Sequence, residues 1–155
     1  MDPAIRHKID NLLRQHRVMT LATLRPDGWP QATTVGYVYE GLKLYFLCGP
    51  QSQKALNLAA DDRVSLTIDH DTADLMAIAG LSMAARARRV EDPVEVDRIL
   101  DRLATRYPEY SEWPVPRPPA SQIRLFRLDP TVISVLDYSK GFGHADLVVV
   151  EPGTA

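Results

Sequence analysis

The chain has 155 residues, 45% hydrophobic and 25% charged, proportions that exclude a disordered, fibrous or membrane-spanning polymer and fit one globular domain over residues 1–155. The formal net charge of −2 excludes the broad cationic footprint on which nucleic-acid binding depends. Cys48 is the single cysteine, which excludes an internal disulfide or a Cys-x-x-Cys metal clamp and suits a reducing compartment.

Asp2 followed by Pro3 pairs a capping side chain with a residue of preset φ, and Ile5, Ile9, Leu12 and Leu13 then form one apolar stripe, so a helix begins the chain. Its interspersed polar residues do not make a signal peptide, and no membrane-spanning apolar run follows. A cytoplasmic protein without membrane contact is expected. From Val18 the period changes to two, and Val18 to Leu24 reads as a strand ended by the turn Pro26-Asp27-Gly28. A second strand is expected from about Gln31 to Tyr39, a turn at Glu40-Gly41, and a third strand from Leu42 to Cys48.

Gly49-Pro50 interrupts the sheet, Ser52 caps a short helix to about Ala60, and Val64 to Asp69 reads as a strand. Leu75 to Val90 is rich in small residues that also suit a helix. The fresh start signal at Asp92-Pro93 with Glu95 favours a strand there, followed by a helix whose stripe is Val96, Ile99, Leu100, Leu103 and Tyr107. Five prolines and Trp113 between Pro108 and Pro119 make a stiff covering loop, a candidate lid or interface arm. Ile123 to Leu128 and Thr131 to Tyr138 read as one bent strand or two, interrupted at Asp129-Pro130, before a glycine-containing tail. The expected class is therefore α+β: an antiparallel barrel of six to seven strands with peripheral helices.

The strongest local chemistry lies in Gly49-Pro50-Gln51-Ser52-Gln53-Lys54, where a hydroxyl, a cation and free N–H groups meet at a helix start, an arrangement that attracts phosphate. A lone Ser-x-Lys serves equally as an ordinary cap beside a solvated lysine. His7, His16 and His70 have no metal-ligand spacing, and no metal is expected. Gly141-x-Gly143 lacks the rest of a dinucleotide fingerprint, and neither a Walker-type loop nor a Gly-x-Ser-x-Gly elbow occurs.

Taken in order, several segments resemble the pyridoxamine 5'-phosphate oxidase-like, FMN-binding split-barrel superfamily: Leu21-Ala22-Thr23-Leu24 with Asp27-Gly28-Trp29-Pro30, Gln31 to Tyr37, Leu44-Tyr45-Phe46, Ser52-Gln53-Lys54, Asn57-Leu58, and Asp62 to Leu66. The resemblance implies a split β-barrel holding FMN between the two chains of a homodimer, with a small-molecule substrate and flavin-dependent oxidoreductase activity. It implies cofactor contacts from Thr33, Thr34, Val35, Phe46, Leu47, Ser52 and Lys54, the phosphate sitting at Ser52 and Lys54. Ala84 to Arg89 is similar to the family's long interface strand, where Arg86 would reach the partner's flavin; Arg88 and Arg89 read equally as a solvated strand end.

Two departures from the vitamin-oxidising members stand out: Gln53 replaces the usual arginine beside the lysine, and the C-terminal Arg-x-His signature is absent. The tail Tyr138-Ser139-Lys140-Gly141-Phe142-Gly143-His144 instead resembles tails in smaller members of the superfamily, and residues from about 139 to 155 are a candidate cover for the flavin or its substrate pocket. A deazaflavin on the same phosphate pocket, a haem with His144 as ligand, or a non-catalytic flavin or haem binder are the alternatives.

Overall fold

The computed structural model describes residues 1–111 and 119–151; the expected Trp113 loop and the last four residues lie outside the described residues. Helix α1 (Pro3–Gln15) starts as expected, the Asp2 carboxylate accepting the N–H groups of Ala4 and Ile5. It buries Ile9, Leu12 and Leu13. Strands β1 (Val18–Leu24), β2 (Pro30–Gly36), β3 (Val38–Glu40) and β4 (Lys43–Cys48) follow, then helix α2 (Gln53–Ala60), β5 (Arg63–Ile68) and β6 (Ala79–Arg89). Helix α3 (Pro93–Arg106), β7 (Arg124–Asp137) and β8 (Ala145–Val149) complete the order.

All pairings are antiparallel, and the sheet runs β2-β1-β5-β6-β7-β4-β3 with β8 beside β7. Strands β2 and β3 sit at opposite ends of this order, yet only Tyr37 separates them in the chain. One residue spans no more than about 3.6 Å, so the sheet must curl until its two ends almost meet. The α+β split barrel expected from the sequence is therefore what forms. The single strand expected over Gln31–Tyr39 is two, because Tyr37 is the point where the chain crosses the split.

Tyr107 fastens this crossing. Its hydroxyl accepts the Tyr37 N–H at 2.8 Å and lies within hydrogen-bond distance of the carbonyls of Tyr37 and Arg17. The Tyr37 hydroxyl in turn reaches the carbonyls of Leu13 and His16, both at 2.9 Å, tying the crossing to α1. Gly36 lets the ring come this close, since a Cβ there would stand 3.0 Å from the Tyr107 hydroxyl oxygen and Tyr107 would have to give way. Tyr107→Phe leaves the Tyr37 N–H only a long 3.4 Å contact with the Arg17 carbonyl, so a loss of about 1–2 kcal/mol in urea unfolding is expected; an unchanged midpoint would show that the crossing holds without it.

Two further differences from the expected elements have local causes. Strand β7 continues through Pro130 because a bulge accommodates it: Ala84 opposes Val132 and Ala85 opposes Pro130, leaving Thr131 as the extra residue. The glycine-containing tail does not stay irregular. It turns at Gly141 and Gly143, both at positive φ, and β8 pairs Ala145–Val149 with Val132–Leu136, bringing the strands to eight.

One core fills the barrel, where Phe46 stacks on Phe126 with ring centroids 5.4 Å apart. A second lies outside it, where α3 covers Val38, Tyr45 and Leu125 with Ile99. Among the described residues no helix covers the outer face of β5, β6, the C-terminal half of β7, and β8. Ser65, Ser82, Ala84, Leu147 and Val149 lie exposed there, and charge begins only at its edge with Arg63 and Arg86.

Candidate functional site

Helix α2 begins directly after β4 because Gly49-Pro50 ends the ladder and Ser52 caps the next turn. The Ser52 N–H donates to the Gly49 carbonyl at 3.1 Å, and its Oγ accepts the Ala55 N–H at 3.3 Å. The N–H groups of Gln53 and Lys54 precede the first intrahelical bond and point out of the helix start. Cys48 lies half-buried beside them. Burial pushes its thiol up, while a hydrogen bond from Ser52 and the charges of Lys54 and Arg124 oppose that rise.

Arg124 stands opposite Cys48 in the β4–β7 register and so shares its face of the sheet. Among the described residues neither Lys54 nor Arg124 has a carboxylate partner, Arg124 bonding only the carbonyl of Ile123. Nearby cations differ: Arg63 pairs with Asp61, Arg86 with Asp62, and Arg127 with Asp129. The α2 start is thus where unneutralised positive charge gathers.

The split supplies the rest of the site. Strand β4 pairs with β3 only over Lys43–Tyr45, so the edge of Phe46–Cys48 that faces away from β7 has no strand partner. Strand β2 pairs with β1 alone. The two strands come within 8 Å of each other without pairing, leaving a slot between open backbone edges with Ser52 and Lys54 next along the chain from β4.

The expected site residues occupy this slot unequally. Thr33 and Val35 are half-buried on the inner face of β2, while Thr34 is exposed on the outer face opposite Thr20. Phe46 is 0% exposed, its ring committed to the core, so only its backbone faces the slot. Leu47 packs toward the cluster under α3. Arg86 stands apart within the chain: its guanidinium holds Asp62 at 2.5 Å beyond the far end of α2, a helix about 12 Å long at 1.5 Å per residue.

Two residues of the site escape the sequence reading. Arg124 is recognisable in the sequence only as an alternation with Phe126 and Leu128, and its position beside Cys48 is a tertiary fact. Asn57 is 0% exposed, accepts from Gln53 Nε2 at 2.9 Å, and donates to Thr23 Oγ1 at 2.9 Å and Gln31 Oε1 at 3.2 Å. Its i, i+4 relation to Gln53 is legible in sequence; its partners on β1 and β2 are not.

Other polar clusters have structural work. A cleft of about 560 Å³ between the β3–β4 turn and α3 is lined by Glu40, Tyr45, Glu95, Arg98 and Arg127. Arg98 pairs with Glu40 and Arg127 with Glu95 across it. Burial and the neighbouring Glu95 push the Tyr45 hydroxyl up to about 12, so it stays protonated and donates to Glu95 at 3.0 Å. The cluster docks α3 on the barrel. His144 lies 3.2 Å from Asp146, which also pairs with Lys140 at 2.8 Å. Among the described residues no three metal-ligating side chains form a group, and no helix is long and apolar enough to cross a membrane.

Comparison with known proteins adds three kinds of finding. A sequence profile described as pyridoxamine 5'-phosphate oxidase matches residues 5–137. No curated protein matches significantly. Among solved structures, a conserved hypothetical protein, Rv2991, from Mycobacterium tuberculosis is 26% identical, with a TM-score of 0.74 over 100% of this chain and 95% of its own. A haem-binding protein from Mycobacterium smegmatis is 25% identical with a TM-score of 0.72, over 96% of this chain and 59% of its own. An F420 reductase is 26% identical with a TM-score of 0.62, over 81% of this chain and 94% of its own.

Proposed function

The chain belongs to the pyridoxamine 5'-phosphate oxidase family, and from that membership we propose that it is a cytoplasmic, homodimeric FMN-dependent oxidoreductase of a small-molecule substrate. The observation that carries this reading is the slot between the open edges of β2 and β4, with the uncompensated cations Lys54 and Arg124 near the α2 start. These residues fit the group. A phosphate dianion needs N–H donors and positive charge at one end, and a flavin ring needs backbone donors and acceptors along its polar rim with apolar cover on its faces.

In this reading Ser52 and Lys54 hold the phosphate, and the backbones of Thr33, Thr34, Val35, Phe46 and Leu47 border the ring, with the Val35 side chain as apolar cover. When bound, FMN supplies the hydride- or electron-transfer chemistry; the chain orients it and limits water around it. The uncovered face of β5, β6, β7 and β8 is the dimer contact, uncharged at its centre as the core of an interface favours. Across that contact Arg86, at the rim, reaches the partner's flavin.

The visible spectrum of freshly purified protein tests this. An oxidised-flavin spectrum is expected, with the released chromophore comigrating with FMN. A deazaflavin spectrum would assign the same cradle to the other cofactor, and a Soret band would replace the reading with haem binding.

A further inference from the structure

We propose that Asn57 is a positioning residue that sets the distance between the two halves of the cofactor cradle, and so determines how strongly the site prefers a phosphorylated flavin over an unphosphorylated one. The inference rests on the reading of the α2 start as the phosphate site. Asn57 never meets the ligand in this scheme; it acts through the elements it joins.

The geometry is specific. Asn57 sits in the middle of α2 with its side chain wholly buried, and all its hydrogen-bonding groups reach named partners. Its two amide hydrogens go to different strands, one to Thr23 on β1 and one to Gln31 on β2, two residues before Thr33. Its carbonyl oxygen accepts from Gln53, which lies between Ser52 and Lys54. The primary amide thus links the phosphate end of α2 to the strand that borders the ring, across a sequence separation no local structure can bridge.

Alternative fastenings are few. Along α2 the other buried residues are Ala55 and Leu58, and apolar contacts hold a helix against a sheet without fixing its slide along it. Two directional bonds from the buried Asn57 amide, to Thr23 on β1 and to Gln31 on β2, do fix it, and the bond from Gln53 within α2 holds that amide in the orientation that makes them. The link also engages Gln53, whose amide nitrogen directs one of its hydrogens at Asn57.

The ligand that reports this is a pair, FMN and riboflavin, which share the ring and differ in the phosphate. Wild-type protein is expected to bind FMN more tightly than riboflavin by at least about tenfold, the worth of one charge-assisted contact. Asn57→Ala is expected to bring that ratio to within about threefold while riboflavin affinity moves less than threefold, because only the phosphate end is displaced. Gln53→Ala, which removes one bond at the helix surface, is expected to lower the ratio by about threefold and keeps the test open if Asn57→Ala fails to fold. A folded Asn57→Ala with the wild-type ratio, or in its place a Gln53→Ala with that ratio, overturns the inference. Wild-type protein that binds both flavins equally overturns the phosphate cradle itself, and the positioning role with it.

Discussion

Lys54→Ala is expected to weaken FMN binding by about 1.5–3 kcal/mol, roughly 10- to 150-fold, as measured by quenching of flavin fluorescence during titration. The size follows from the surroundings. Lys54 has no carboxylate partner among the described residues, so its charge is not already satisfied within the protein, and the loss falls on the ligand. Arg124 remains in the variant and keeps the loss at the level of one contact. Riboflavin affinity is expected to stay nearly constant, since in the proposed arrangement the ring contacts the strand edges and not Lys54. Unchanged FMN affinity would remove Lys54, and the α2 start with it, from the site.

Ser82→Glu is expected to convert a dimer of the 17.3 kDa chain into monomers in sedimentation, with loss of bound FMN. Ser82 lies exposed on β6, opposite Thr67 on β5 and Ser134 on β7, with Leu147 of β8 beyond. A glutamate there has no charged cross-strand neighbour and stays solvated in a monomer, so folding is expected to survive. In a two-fold dimer the same carboxylate would be desolvated near its own symmetry mate, at a cost on the order of several kcal/mol. A variant that sediments at twice the chain mass would place the contact elsewhere.

Much of the scaffold was legible because its signals are local. Asp2, Ser52 and Asp92 cap the helices they were expected to cap. Alternation from Val18 to Leu24 marked a strand with one buried face, and the β-favouring run from Leu42 to Cys48 marked a strand that the fold buries on both faces. The tail was harder to read, since β8 is stabilised by pairing with β7 and its sequence carries only five residues of strand. The candidate site was legible in part: Ser52 and Lys54 lie two positions apart in the chain, whereas the commitment of the Phe46 ring to Phe126 became visible only once β4 and β7 were paired.

Capping, turn chemistry and period determined the helices, most strands and the chemistry of the Ser52–Lys54 turn, because each depends on residues a few positions apart. Closure of the barrel, the open edges of β2 and β4, the approach of Arg124 to Cys48 and the Asn57 link required the folded sheet. Such features join residues 26 to 76 positions apart in sequence, and at that range side-chain pattern specifies which faces are buried but not which edges meet.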